Sequence, residues 1–150
     1  MTGANVPVFY SAGTTAGAAD LFPSTILLVN AIGSTTTWTD TFGPGTINVS
    51  SGTSIVIAAS GTNPTGVRKS FPVVAGQSYR LRWTTSGTTC ASAFGTTSGG
   101  EQDKGLGTTH DPLGPNSFIF TTTATTLFVQ FQRTAAGTST ITGLSLEQLD

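Results

Sequence analysis

The segment "SFPVVAGQSYRLRW", residues 70–83, carries the clearest structural pattern in the sequence. Its second half alternates, with Tyr79, Leu81 and Trp83 on one face of an extended chain and charged residues between them. Successive side chains of a β-strand point to opposite faces, so the pattern predicts a strand with one buried face. The apolar run before it ends at Ala-Gly-Gln (75–77), which predicts a turn between two strands.

The composition points to the same kind of structure along the whole chain. The 150 residues include thirty threonines and 19 glycines. Threonine is β-branched and favours strands, whereas glycine favours the turns between them. Charged residues make up 9% of the chain, against about 25% in ordinary globular domains. Because 37% of the residues are hydrophobic, the chain can bury a core, and its length predicts one domain.

Strand patterns recur along the chain between turn residues, and no window of useful length shows helical periodicity. We expect strands at 25–30, 46–50, 53–60, 67–74, 78–84, 89–95, 117–123, 126–134 and 139–149. Eight or nine short strands in one domain predict an all-β, antiparallel β-sandwich or barrel.

Two local details carry specific expectations. In the last strand Ile141 is out of phase with Leu144 and Leu146, and Gly143 lies between them. A β-bulge at Gly143 would place all three apolar side chains in the core. Pro72 is expected at a strand edge or a strand start, because proline has no N–H to donate to a ladder.

Residues 1–24 differ from the rest and are interpreted as an extended arm before a domain at 25–150. A disordered tail is the alternative. The arm's large apolar side chains argue against a disordered tail, because a soluble monomer avoids exposing such side chains. These residues are Val6, Val8, Phe9, Tyr10, Leu21 and Phe22. We expect them to contact a neighbouring subunit, which favours a homo-oligomer.

Several classes of function and cofactor have little support. The net charge is −1 and no basic stripe is present, so phosphate-mediated nucleic-acid binding is not expected. No segment is long enough to span a membrane, and the N-terminus lacks the pattern of a secretory signal. The one cysteine, Cys90, cannot form an internal disulfide or a cysteine-based zinc cluster, and is expected to be a small core residue. We expect no cofactor.

Most of the polar chemistry is concentrated in one predicted loop, residues 97–116, which contains Glu101, Asp103, Lys104, His110 and Asp111. None of these lies on a predicted strand that would fix its position, as acid–base catalysis needs. No nucleophile-elbow pattern surrounds a serine, and the spacing is not that of a calcium loop. We therefore expect neither an enzyme nor a metal site.

Sugar binding is the remaining chemistry, because aromatic rings stack on the apolar C–H faces of pyranoses. Tyr79 and Trp83 are interpreted as core residues, whereas Trp38, within "STTTWTDTF", is either core or surface. In 126–134 one face carries Leu127, Val129 and Phe131 and the other carries aromatic and amide side chains. The candidate glycan contacts are Trp38, Phe128, Gln130, Gln132, Glu101, Asp103 and His110.

The order of these motifs resembles carbohydrate-binding-module-like β-jelly rolls. "FPVVAGQSYRLRW" (71–83) is similar to their central hairpin, and "ILLVNAIGSTTTWTDTF" (26–42) to their opening segment. The segment 117–149 is similar to their closing strands. The resemblance covers residues 25–150 and implies a jelly roll of the galactose-binding type. In that group the last strand often supplies an Asp to a structural calcium ion, and Thr142 occupies the matching position here. A neutral hydroxyl is a poor calcium ligand, so no calcium is expected.

Two functions remain open. Similar lone jelly rolls belong to tailed-bacteriophage virions, which implies a capsid decoration, head-fibre or tail protein with other virion proteins as partners. Such a protein is assembled in the host cytoplasm and needs no secretory signal. The alternative is a carbohydrate- or host-receptor-binding module, with a surface glycan as partner.

Overall fold

The computed structural model describes residues 24–28, 38, 40–50, 53–101 and 111–149. Ten β-strands lie in these ranges: β1 (Ser24–Leu28), β2 (Asp40–Phe42), β3 (Thr46–Ser50), β4 (Ser54–Ala59), β5 (Thr65–Pro72), β6 (Ser78–Gly87), β7 (Ala91–Gly95), β8 (Gly114–Thr121), β9 (Thr126–Arg133) and β10 (Gly137–Leu149). No helix in this part of the chain is long and apolar enough to cross a membrane.

The strands form two antiparallel sheets. The six-stranded sheet has the order β3-β4-β10-β6-β8, and β1 pairs with the second half of β10. The four-stranded sheet has the order β2-β5-β9-β7. The prediction of an all-β antiparallel β-sandwich is confirmed. The short strand β2 was not predicted, because three residues with an Asp among them carry no apolar alternation.

The core lies between the sheets and is built from the inward positions of each strand. Tyr79, Leu81 and Trp83 of β6 are at most 3% exposed, which confirms that they are core residues. On β9, Leu127, Val129 and Phe131 are fully buried, so the predicted faces of that strand are also correct. Aromatic rings join the sheets: the Trp83 ring centroid lies 5.5 Å from that of Phe94 and 5.9 Å from that of Phe131.

The predicted β-bulge in the last strand is present. Between the pairs Thr142–Thr84 and Ser145–Arg82, β10 advances by three residues while β6 advances by two. Gly143 takes the extra position with a φ of +61°, a conformation that residues with a Cβ atom disfavour. Ile141, Leu144 and Leu146 are all fully buried as a result.

Pro72 ends β5 and pairs with Thr126 of β9. The pairing of β2 with β5 covers only Gly66 to Arg68. Among the described residues, therefore, no strand pairing requires Pro72 to donate a backbone N–H. This matches the expected edge position.

The predicted N-terminal arm lies outside the described residues, as do its apolar residues Val6, Val8, Phe9, Tyr10, Leu21 and Phe22. β1 begins at Ser24, which is the last residue assigned to the arm. The interpretation of 1–24 as an assembly arm stays a prediction.

Candidate functional site

The candidate site is the outer face of the four-stranded sheet, where strand register brings distant residues side by side. On β5 and β9, Arg68 lies opposite Gln130 and Ser70 lies opposite Phe128. Residues directly opposite each other in an antiparallel pair share a face of the sheet. Since the inward positions of both strands hold apolar core residues, this set projects away from the core.

Three polar side chains form a hydrogen-bonded row on this face. The Nε of Arg68 donates to Oε1 of Gln130 at 2.6 Å, and Nε2 of Gln130 donates to Oε1 of Gln132 at 2.8 Å. We call Arg68, Gln130 and Gln132 the polar row. These hydrogen bonds fix which atom of each glutamine amide is the oxygen and which is the nitrogen. Donation therefore runs in one direction along the row, from Arg68 to Gln130 to Gln132. The guanidinium carbon of Arg68 also lies 4.3 Å from the ring centroid of Phe42, a cation–π distance.

The neighbouring strand keeps this face flat. On β7, Ala91, Ala93 and Gly95 lie opposite Gln132, Gln130 and Phe128 respectively. None of the three has a side chain larger than a methyl group. Ala91 and Ala93 are themselves only 6% and 0% exposed, so the β7 side of this face is covered and is not open to a ligand.

Exposure separates the groups that can touch a ligand from those that support them. Gln130 and Gln132 are only 4% and 8% exposed, whereas Arg68 and Phe128 are half-buried and Ser70 is exposed. The turn after β7 covers part of the row, because a Cβ on Gly99 would lie 3.0 Å from Nη2 of Arg68. The two glutamines therefore orient Arg68, and the accessible surface consists of Phe128, Arg68 and Ser70.

Trp38 lies in the core and is 2% exposed, so as placed it does not offer a face to a glycan. Its ring centroid lies 6.5 Å from that of Phe71 and 6.3 Å from that of Phe131. The Nζ of Lys69 lies 5.5 Å from the Trp38 ring centroid, and burial lowers the pKa of this lysine. Trp38 is placed in the core by packing against the aromatic rings of the four-stranded sheet. The threonine-rich residues next to it in the sequence carry no pattern that would predict this burial.

Of the other predicted contacts, the structure describes only Glu101. Glu101 is exposed at the end of the turn after β7, and Asp103 and His110 lie outside the described residues. Sequence reasoning missed Arg68 and Phe42. Arg68 had a usable signal, since it alternates with the apolar Val67 and thus faces away from the core; Phe42 had none, because β2 is too short.

Cys90 is fully buried, which confirms the core interpretation. Burial raises the pKa of its thiol to about 12, so it is not a nucleophile near neutral pH. In the described ranges no three His, Cys, Asp or Glu side chains form a group that could hold a metal ion. Thr142 lies opposite Thr84 and Ser54 in the six-stranded sheet; whether calcium binds stays a prediction.

Neither a protein-family model nor a curated protein matches the sequence. Among solved structures, the chain is similar to the enzymatically active domain of tailspike protein 4 of bacteriophage CBA120, with a TM-score of 0.55 and 14% identity over 73% of this chain. This match spans only 19% of the tailspike chain. A mutant of the family 29 carbohydrate-binding module CBM29-2 in complex with cellulohexaose gives a TM-score of 0.49 and 14% identity, covering 86% of this chain and 93% of the module.

A third similar structure is a family 4 carbohydrate-binding module, with a TM-score of 0.48 and 10% identity over 69% of this chain and 77% of the module. The structural neighbours are thus carbohydrate-binding-module β-sandwiches and a phage tailspike domain. At these identities the likeness is one of fold.

Proposed function

We propose that this chain is a carbohydrate-binding β-sandwich module without catalytic activity, and that it binds sugar on the outer face of its four-stranded sheet. The observation that carries the proposal is that the half-buried aromatic ring of Phe128 shares the outer face of the sheet with the guanidinium of Arg68, which Gln130 holds in place. Aromatic ring and planar donor are the two groups that recognise a pyranose, one through its C–H face and the other through its hydroxyls.

The spacing suits one sugar unit. Arg68 and Phe128 are diagonal neighbours across β5 and β9, and such neighbours lie about 7–8 Å apart. The exposed hydroxyl of Ser70 lies directly opposite Phe128. A pyranose on the Phe128 ring would have the Ser70 hydroxyl on one side and the Arg68 donors on the diagonal.

Preorganisation favours affinity on this face. Arg68 is held by its bond to Gln130 and by the Phe42 ring over which its guanidinium lies. A side chain that is already ordered loses less conformational entropy on binding than a mobile arginine would. The buried amides of the polar row thus contribute without contacting the ligand.

The experiment is isothermal titration of the full chain with a panel of neutral oligosaccharides that includes cellulohexaose. Phe128→Ala is expected to weaken binding by at least about tenfold, since a lost aromatic contact is worth roughly 1 kcal/mol or more. Ile119→Ala is the matched control, because Ile119 is an apolar side chain, 56% exposed, on the other sheet. Binding that survives Phe128→Ala, or no binding across the panel, would contradict the proposal.

The absence of catalysis has its own assay. The same oligosaccharides incubated with the chain are expected to release no reducing ends. Turnover that persists through repeated purification would make the chain an enzyme.

A role as a structural protein of a bacteriophage virion is the second candidate. It is favoured by the similarity to a domain of a phage tailspike, the match with the highest TM-score quoted above. In that role the chain would decorate the capsid or the surface of the head or tail, with other virion proteins as partners. The test is whether the chain occurs in a fixed stoichiometry in purified particles; its absence from them would exclude this role.

A further inference from the structure

One edge of the six-stranded sheet is long and carries no charge. Strand β8 (Gly114–Thr121) lies at the end of this sheet, and among the described strands it pairs with β6 alone. Monomeric proteins usually protect such an edge with charges, prolines, bulges or a covering segment, because its unpaired backbone groups can bind another strand. Past its one proline, Pro115, strand β8 has neither a charged residue nor a bulge.

The register of β8 identifies the backbone groups that this edge leaves open. The N–H of Thr122 donates to the carbonyl of Gln77, and these two residues continue the β6–β8 register by one pair. Hydrogen-bonded and non-hydrogen-bonded pairs alternate along an antiparallel ladder, so the backbone groups of Phe118 and Phe120 point toward β6. Those of the odd-numbered residues from 115 to 121 therefore point away from it. Pro115 agrees with this assignment, since it lies in the ladder and has no N–H to donate.

The described part of the chain exposes three large apolar side chains, and all three lie along this edge. Ile119, in the middle of β8, is 56% exposed, and Leu113, just before the strand, is 54% exposed. Val74 is also 56% exposed. It belongs to the turn beyond the other end of β8, where the N–H of Gly76 donates to the carbonyl of Thr122. Exposed apolar groups that gather along one edge indicate a contact surface.

The open edge of β8 is complementary to itself. Two antiparallel copies of β8 centred on Ile119 would place Ser117 of each copy opposite Thr121 of the other. The backbone groups at all three positions point outward, so this pairing would form about six backbone hydrogen bonds. The two Ile119 side chains would meet at the two-fold axis, where a charged residue would meet its own like charge. Leu113 of one copy would approach the end of β8 in the other, near Val74.

We propose that this chain forms a two-fold symmetric homodimer in which the β8 edges of two copies pair and their six-stranded sheets become one continuous sheet. On the inner side Phe118, which is partly buried against the core, lies opposite Phe120 of the second copy. A second copy fits this edge better than an unrelated strand, because the open backbone groups and the exposed isoleucine are symmetric about one residue.

The β8 pairing is distinct from the other contacts proposed for this chain. It uses the open edge of both copies and therefore stops at a dimer, whereas a larger assembly is the role predicted for the arm at residues 1–24. It also lies on the sheet opposite the polar row, so it does not rest on carbohydrate binding.

The first test is sedimentation velocity of the full chain over a range of concentrations. The chain is expected to change from monomer to dimer with a dissociation constant on the order of 100 μM, since one pair of strands buries less area than a standard interface. Ile119→Lys places two like charges at the axis and should weaken dimerisation at least about tenfold. Ser117→Pro removes an outward N–H that β6 does not use, and should have the same effect.

Asn48→Lys is the matched control. Asn48 is exposed on β3, the edge strand at the other end of the same sheet. There the neighbouring Ile47 is partly buried and Val49 is 6% exposed. The variant adds the same charge to an edge strand and should leave dimerisation unchanged. Because the side chains of Ile119 and Asn48 are exposed, both lysine variants are expected to fold, as thermal unfolding checks.

Disulfide trapping tests the register of the pairing. Cys90 is fully buried, so an introduced surface cysteine reacts without competition from it. With oxidised glutathione, Ile119→Cys should give a covalent dimer, because directly opposite residues of a hydrogen-bonded pair have Cα atoms about 5.5 Å apart, within the range of a disulfide. Ser117→Cys should not, because its two copies are offset along the strands by more than about 13 Å.

Any of four results would overturn the proposal. They are a monomer at every concentration, a dimer that Ile119→Lys leaves intact, a dimer that Asn48→Lys disrupts instead, and equal trapping through Ile119→Cys and Ser117→Cys.

Discussion

Deleting Gly143 should leave the domain almost as stable as before, whereas deleting Ser145, two residues further on, should not. Without Gly143, β10 runs regularly from Ile141 and Thr142 into Leu144, and every remaining residue keeps its face of the sheet. The deletion removes a residue in a left-handed conformation and no core side chain. We expect the free energy of unfolding to change by no more than about 1 kcal/mol.

Deleting Ser145 also removes one residue but has a different consequence. Leu146 to Leu149 can keep their pairing with β6 and β1 only if Leu144 turns outward and Gly143 turns inward. Leu144 is fully buried, and replacing a buried leucine by a much smaller residue costs about 2–5 kcal/mol. The free energies of unfolding of the two deletion variants should therefore differ by roughly the contribution of one buried leucine side chain.

The assay is thermal unfolding followed by tryptophan fluorescence, since Trp38 and Trp83 are both buried and report on the core. The Ser145 deletion should have a melting temperature at least about 5 °C below that of the Gly143 deletion. Equal loss of stability in the two deletions, or a larger loss without Gly143, would refute the idea that the bulge serves to bring the two halves of β10 into phase.

Three further predictions concern the stability of the domain and its assembly. Glu147→Gln leaves the guanidinium of Arg80 buried without its carboxylate, both side chains being 8% exposed, and should cost about 3–5 kcal/mol in urea unfolding; a loss well below this range would mean that solvent reaches the pair. Burial raises the pKa of Cys90 to about 12, whereas an unfolded thiol titrates near about 8.5. Between these two pKa values the native thiol keeps its proton, whereas the unfolded thiol releases it. The stability that Cys90 contributes is therefore complete below about pH 8, and above it the free energy of unfolding declines by up to about 1.4 kcal/mol per pH unit. The stability advantage over Cys90→Ala should shrink accordingly, and a constant difference would contradict the thiol's raised pKa. Deleting residues 1–23, which leaves β1 intact, should give a folded domain that no longer assembles, as checked by thermal unfolding and sedimentation; an unfolded product would place the arm in the core, and unchanged assembly would make it only a tail.

Features that depend on neighbouring residues along one strand could be predicted from the sequence. The alternation of Tyr79, Leu81 and Trp83 predicted a buried face, and all three are in the core. The broken phase between Ile141 and Leu144 predicted the bulge at Gly143, which is where the register shifts. These predictions succeed because the two-residue period of a strand is a local property that can be read without knowing its partners.

Contacts between residues that are distant in the sequence depend on how the strands pair and could not be predicted from it. Arg68 and Gln130 are 62 positions apart, and Arg80 and Glu147 are 67 apart; both contacts exist because of strand order and register. The same holds for Trp38, whose threonine-rich surroundings carry no apolar period and whose ring is nonetheless buried between Phe71 and Phe131. Strand order in a sandwich is selected by the packing of both sheets together, so the proposed carbohydrate site became visible only once β5 was placed beside β9.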